Sequence, residues 1–249
     1  MDIEDRFEAA ELDRRLWLPY YLPQWSSRQA ASARYSVDGG ALRLRIEEGQ
    51  AEWCPEFDPG VRVSSVQTGV LSGPPGSTIG QHQFRTGLAV REEQRATALF
   101  LALHGRVEIR ARVTADPNCM AALWMIGYED EPQRSAEICV MEIFGRDVFS
   151  DHTLVGMGIH PFRDPDLNDD FTRERVAIDA RETHTYGIQW TENAIAYLVD
   201  GRVIRDSRQS PGYPMQVMLG IYQFGNPQPT GSYPKEFVIE RFRASGLRS

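Results

Sequence analysis

Residues 135–146 read SAEICVMEIFGR, an apolar run broken by two carboxylates, Glu137 and Glu142. A carboxylate inside a strand-like apolar segment is costly to bury without a partner, so both residues need an explanation. In a regular strand, positions 137, 139 and 141 share a face and 142 points the other way. One extra residue, a β-bulge, returns Glu142 to the face of Glu137 and Cys139. Four regular steps of about 3.3 Å then place the two Cα atoms roughly 13 Å apart. Side chains leaning together from a concave sheet bring the carboxyls to about 5–5.5 Å, the separation that suits a nucleophile and an acid/base in retaining glycoside cleavage. Two such carboxylates do not both ionise easily, so one keeps its proton near neutral pH and serves as general acid. Taken alone, the spacing also fits one solvent-facing glutamate on an edge strand and a second that is incidental.

Outward from this segment, alternation of period two recurs, as expected of half-buried strands. ALRLRI (41–46) sets Leu42, Leu44 and Ile46 against Arg43 and Arg45. RVEIRARV (106–113) sets Val107, Ile109, Ala111 and Val113 against Arg106, Glu108, Arg110 and Arg112. Ile195, Tyr197 and Val199 lead into Asp200-Gly201 and then Arg202-Val203-Ile204. An Asp-Gly pair between β-type runs predicts a type I′ hairpin, because both central positions need positive φ. FVIERFR (237–243) reads as a last strand. Helical signal is thin: 3–16 and 91–100 each suggest a turn or two. Prolines and glycines gather in 69–80, 160–169 and 224–234. Many short strands with turns and long loops between them predict an all-β sandwich rather than βαβ units. No internal repeat or linker is visible, so residues 1–249 are expected to form one domain.

Bulk properties narrow the function classes. The chain has 249 residues, 41% hydrophobic and 25% charged, as in an ordinary globular protein. A formal net charge of −8 argues against nucleic acid or an anionic membrane as partner. Cys54, Cys119 and Cys139 lack zinc-site spacing and cannot all pair, so no disulfide framework is expected. No run of roughly 18 apolar residues suggests a membrane span. The opening MDIEDRFEAAELDRR is acidic and amphipathic, unlike a secretory leader. On that reading the chain is cytoplasmic if its start is native and secreted if a leader was trimmed. There is no G-x-S-x-G elbow and no phosphate loop. The histidines His82, His104, His152, His160 and His184 show no ligand-like spacing, and no metal site is predicted from them.

From these residues outward the chain resembles glycoside hydrolase family 16, in its bulged-motif, laminarinase-like branch. That family carries E-I/L-D-x-x-E followed by an apolar or aromatic residue and glycine; here Glu137 to Gly145 read EICVMEIFG. His104 to Arg112, HGRVEIRAR, is similar to the family's Y-G-x-x-E-x-R-x-K strand. Ala121 to Met125, AALWM, resembles its W-P-A-F-W-L segment, with Met120 at the first tryptophan. His184 to Thr191, HTYGIQWT, and Tyr197 to Gly201, YLVDG, resemble its F-H-T-Y-x-x-x-W-T and F-Y-V-D-G blocks. Pro214-Met215 with the apolar strand after it, and Asp5-Arg6-Phe7 through Trp17 at the opening, fit as well. The blocks keep the family's order over most of the chain.

The resemblance implies a concanavalin A-like jelly roll of two antiparallel sheets, with substrate lying across the concave one. It implies Glu137 as nucleophile, Glu142 as acid/base, and Cys139 where the family has an aspartate that helps hold the nucleophile. A thiol is a weaker donor and normally uncharged. Its presence predicts a slower enzyme or a more acidic optimum, the alternative being that the cysteine is simply tolerated. Trp124 is the best sugar-stacking candidate, against the alternative of a core tryptophan. His160 falls where many members place an active-site histidine. Trp53 and Tyr222 complete the substrate-binding candidates; Trp25, Tyr128 and Phe149 are further loop aromatics, and Tyr186 and Trp190 are assigned to the core. Gly220 and Tyr222 stand where Asn and Trp often occur.

The implied function is a retaining endo-β-glycanase, a glycosidase acting on a β-linked polysaccharide or oligosaccharide, with β-1,3-glucan the first expectation. Alternatives are a non-catalytic or weakly active carbohydrate-binding protein on the same fold, and a transglycosylase. No cofactor is required; a structural calcium is possible in the family. A monomer with no nucleic-acid or membrane partner is expected.

Overall fold

A strand with one wet face alternates polar and apolar side chains, and a strand covered on both faces does not. The two sheets of this protein differ in just that way. The computed structural model describes residues 2–225 and 232–246. In chain order its strands begin β1 (Asp2–Asp5), β2 (Tyr35–Asp38), β3 (Ala41–Ile46), β4 (Val61–Gln67), β5 (Gly69–Val70) and β6 (Thr97–Ala98). They continue with β7 (Gly105–Arg112), β8 (Cys119–Gly127), β9 (Glu137–Phe144), β10 (Thr153–His160) and β11 (Thr172–Val176). The last are β12 (His184–Trp190), β13 (Ile195–Val199), β14 (Arg202–Ser207), β15 (Met215–Phe224) and β16 (Lys235–Ser245).

One antiparallel sheet has the order β14-β13-β12-β7-β16-β3-β2, with β1 pairing the far half of β16. The other has the order β11-β10-β9-β8-β15-β4. A small pair, β5-β6, stands apart. Two stacked antiparallel sheets are the jelly-roll sandwich that the strand pattern and the family resemblance predict. ALRLRI forms β3 with Leu42, Leu44 and Ile46 buried. Asp200 (φ 49) and Gly201 (φ 74) turn between β13 and β14 as the type I′ expectation requires.

Between the sheets, Val107, Ile109, Ile188 and Phe242 meet Leu123, Ile138, Val155 and Leu219 in the main core, with Tyr186 and Trp190. A second apolar cluster lies on the opposite face of the six-stranded sheet. There Ala122, Trp124, Ile126, Met218 and Tyr222 pack against loop residues such as Tyr21, Leu22, Trp25 and Trp53. The six-stranded sheet is therefore covered on both faces over part of its area, and the rest is the floor of a cleft.

Of the helical turns expected in 3–16 and 91–100, a single one forms, where the Leu16 and Trp17 N–H groups donate to the Asp13 carbonyl. Residues 2–5 are instead drawn into strand pairing with Phe242–Ser245, and 91–100 holds only the short β6. Local amphipathicity there loses to backbone pairing with a strand already in place. The helical elements among the described residues are two three-residue 3-10 turns, Pro23–Trp25 and Gly145–Asp147, and no helix is long and apolar enough to cross a membrane. Of the loop expected at 224–234, residues 226–231 lie outside the described residues. Cys54, Cys119 and Cys139 are free and buried.

Candidate active site

The geometry of β9 is set by its register with both neighbours. Glu137 pairs with Ile126 of β8, Cys139 with Trp124, and Glu142 with Ala122. Between Trp124 and Leu123 the register shifts, because Leu123 pairs with Met141 and Val140 is left over. Val140 and Met141 both sit in the inter-sheet core. This is the bulge inferred from the glutamate spacing: one extra residue turns inward, and Glu142 returns to the concave face with Glu137 and Cys139. On the other side β10 shows the same shift, with Glu142 opposite Gly156, Cys139 opposite Gly158 and Glu137 opposite His160.

The two glycines make room for a ring. A Cβ at Gly156 would stand 2.5 Å from the Phe171 ring and 3.2 Å from the Glu142 Cβ, and one at Gly158 would stand 2.5 Å from the Phe171 Cα. Phe171 therefore lies over β10, and His160 stacks on it with ring centroids 4.9 Å apart. The His160 Nδ1 is 2.7 Å from Asp169 Oδ2, which holds the Asp169 carboxyl below its usual range.

Glu137 is 8% exposed. Burial pushes its carboxyl up to about 7, a bond from the Cys139 thiol and the nearby His160 work against that rise, and Glu142 adds to it. The Cys139 Sγ donates to Glu137 Oε1 at 2.9 Å. Burial, and then the two glutamates, push the thiol well above its ordinary value, so it keeps the proton it donates. Glu142 is raised as well, first by burial, with His160 and Arg173 offsetting part of the effect. Both carboxyls therefore keep a proton to higher pH than a free glutamate does, Glu137 to about 7.

The cleft around them is open to solvent and has a cavity volume of about 190 Å³. Trp124 is on its floor, its Nε1 donating to Tyr222 Oη at 2.9 Å. Tyr222 lies along its own strand, since a Cβ at Gly220 would meet the Tyr222 hydroxyl at 2.5 Å. Glycine at 220 and tyrosine at 222 thus form one unit, the ring using the space an asparagine side chain would need. Met120, the cross-strand partner of Tyr222, also lines the cleft. Phe224 stands at its rim.

The structure thus brings Glu137, Glu142, Cys139, Trp124, Tyr222 and His160 to one place. Trp53 is set back: it is 1% exposed, donates from Nε1 to Asp58 Oδ2 at 2.8 Å and packs edge-on against Tyr21. Asp58 and Tyr21, which it holds, are the groups that face the cleft. Trp25 is buried in the second cluster and Phe149 is exposed.

Sequence reasoning set His82 aside with the other histidines, and the structure corrects that. His82 lines the cleft with Nδ1 3.7 Å from Glu137 Oε2. It comes from an irregular loop, where no period marks a residue as inward-facing; the same holds for Tyr21 and Asp58. Among the described residues, no group of three or more His, Cys, Asp or Glu is arranged to hold a metal ion.

Comparison with solved structures gives the same sandwich. The endo-β-galactosidase of Clostridium perfringens that releases GlcNAcα1-4Gal superposes with a TM-score of 0.84 at 27% identity, over 97% of this chain and 61% of that one. The chain therefore spans about 61% of that enzyme's length. A laminarinase from Flavobacterium gives 0.66 at 16% identity, over 97% of this chain and 98% of the other. The laminarinase catalytic domain of Thermotoga petrophila gives 0.66 at 16%, over 97% and 95%. At that identity the laminarinases speak for the fold alone. No curated protein sequence matched. The family model for glycosyl hydrolases family 16 matches residues 93–237, which include β7 to β15 and both glutamates, and the chain belongs to that family.

Proposed function

We propose that this protein is a retaining endo-β-glycanase with Glu137 as nucleophile and Glu142 as acid/base. The observation that carries the reading is the bulge at Val140, which sets the two carboxyls on one cleft floor with Cys139 between them. In the first step Glu142 gives its proton to the glycosidic oxygen. A Glu137 carboxylate oxygen bonds to the anomeric carbon as the bond to the leaving sugar breaks. Esterification removes the negative charge of Glu137, so Glu142 now ionises more easily and acts as base on the incoming water. Water attacks the anomeric carbon, its proton goes to Glu142, and Glu137 leaves as carboxylate. A sugar hydroxyl in place of water would make the same intermediate a transglycosylation donor.

For the sugar, the motif branch points to β-1,3-glucan. One observation favours a β-galactoside instead, the higher similarity to the galactosidase; the floor rebuilt at Met120, Gly220 and Tyr222 is a departure from the motif branch that names no sugar. The test is reducing-sugar release from laminarin, lichenan, agarose, carrageenan, xyloglucan and galactan, plus glycans with internal β-galactosidic bonds, by the protein and by Glu137→Gln. Release that disappears in the variant, from a galactose-containing member, is expected. Binding to a member with no release from any of them would replace the enzyme by a carbohydrate-recognition protein.

A further inference from the structure

The two oxygens of Glu137 have different surroundings. Oε1 receives the Cys139 thiol. Oε2 faces the Nδ1 of His82 at 3.7 Å, longer than a hydrogen bond. That Nδ1 is buried and has no hydrogen-bond partner among the described residues. A buried imidazole nitrogen left unpaired beside a carboxylate is unusual enough to require a reason.

The way His82 is held supplies one. Three loops meet behind it, and each contributes a non-glycine residue with left-handed backbone: His82 (φ 55), Glu129 (φ 58) and Phe162 (φ 50). The His82 backbone N–H donates to Glu129 Oε1 at 2.5 Å, and Arg163, next to Phe162, pairs with the other oxygen of Glu129. The imidazole is fixed edge-on against Trp124 and Phe162, with centroids 5.0 and 4.9 Å away. Strained residues that converge on one point mark a position that surrounding structure enforces, and such clusters occur at working sites. Burial drives the His82 pKa down to about 3, so the ring is neutral. A neutral imidazole presents either an N–H or a lone pair at Nδ1, and only the N–H is compatible with Glu137 in its ionised form.

We propose that His82 is a positioning residue for Glu137: its Nδ1–H, placed by the Glu129–Arg163 pair to face Oε2 at 3.7 Å, closes onto that oxygen when Glu137 is ionised, while the Cys139 thiol holds Oε1. A thiol is a weak donor, so a second donor is needed to keep the carboxylate oriented and available in its ionised form. This rests on Glu137 being the nucleophile. The other titratable groups acting on Glu137 are Cys139 and Glu142 on its own strand, His160 at the end of β10, and Asp169 in the loop after it. Tyr222 and Tyr21 feel its charge from across the floor. The Glu129–Arg163 pair backs His82 itself.

The experiment is a 13C titration of side-chain carboxyls in glutamate-labelled protein, with the Glu137 signal assigned by its loss in Glu137→Gln. Removing a donor to the ionised form raises a carboxyl pKa. In His82→Phe the Glu137 midpoint should therefore rise by about one pH unit, a tenfold gain in proton affinity. His82→Asn keeps an N–H near the Nδ1 position and tolerates the left-handed backbone, so its midpoint should stay with the parent protein. A midpoint that does not move in the phenylalanine variant, or moves as far in the asparagine variant, overturns the proposal. The unaltered protein offers a check that needs no variant. Long-range 1H–15N correlation should show His82 as the Nδ1–H tautomer, and a bare Nδ1 overturns the proposal as well. Activity that survives in Glu137→Gln would instead sink the assignment of the nucleophile, whatever the titration shows.

Discussion

Glu108 and Glu137 are both buried glutamates on strands, one in each sheet, and their partners differ in kind. Glu108, on β7, faces outward from the eight-stranded sheet and is covered by Arg106 at 2.6 Å and Arg241 at 3.7 Å. Gly187 on the neighbouring strand leaves room for its side chain, since a Cβ there would approach the Glu108 Cβ to 2.7 Å. Glu137 has a thiol on one oxygen and a neutral imidazole near the other. A carboxylate that only holds structure is given full positive charges. On the proposed mechanism Glu137 must exchange its charge, and it is kept short of them, so that its proton affinity stays near working pH.

The largest test of that contrast is kinetic. Glu142→Ala should lower turnover by about 10²- to 10⁴-fold, the usual contribution of a positioned acid/base. Added azide should restore part of the rate, giving a glycosyl azide of retained configuration. Glu108→Ala should leave turnover near the parent value while lowering the melting temperature. Equal losses in the two variants would break the distinction between the sheets.

Much of the contrast is visible in the sequence, for a physical reason. β7 has one wet face, so RVEIRARV alternates plainly and its glutamate falls among arginines. β9 lies under a cleft on one face and over the core on the other. Alternation is lost there, and only the spacing of Glu137 and Glu142 reveals the bulge. The Asp200-Gly201 hairpin was legible because its backbone needs positive φ at both residues. The cleft walls were not. His82, Tyr21 and Asp58 come from irregular loops whose course is set by long-range bonds, such as the one from the His82 N–H to Glu129, 47 positions away. Trp53 looked like a cleft residue by type and proved to be the support beneath two others.

The next effect is on stability, and its sign depends on pH. The Glu137 carboxyl is raised from 4.5 to about 7 in the folded protein. Below the unfolded value both states hold the proton and nothing is lost. As pH rises from about 4.5 to 7 the unfolded chain releases it while the folded chain retains it, and stability falls. Above 7 the full cost is present, roughly 3 kcal/mol at most for a shift of this size. Glu137→Gln should therefore gain stability over the parent at pH 8 and almost none at pH 4.5, measured by urea unfolding. Glu108→Gln should lose about 1 kcal/mol at pH 8, because Arg106 and Arg241 are partly exposed and surface-type pairs contribute little. A Glu137→Gln gain that is the same at both pH values would mean burial does not hold the proton there.

The smallest effect sharpens the comparison within the site itself. Cys139 stands where the family carries aspartate, is 1% exposed, and already donates to Glu137. In Cys139→Asp a carboxylic O–H would make the same bond more strongly, since O–H to carboxylate bonds are shorter and stronger than those from a thiol. When that aspartate ionises it places a third negative charge on the face. Such a charge raises the proton affinity of Glu142 and so keeps more of it as acid near neutral pH. Turnover at pH 7 should then rise by about 3- to 10-fold and the optimum should move up by less than about one unit, read from pH–rate profiles of the two proteins. A fall in turnover would mean that the thiol is matched to its surroundings. Glu137 would then owe its ionisation to a site tuned around cysteine, and restoring the family residue would add a negative charge to a face where burial already works against the charges present.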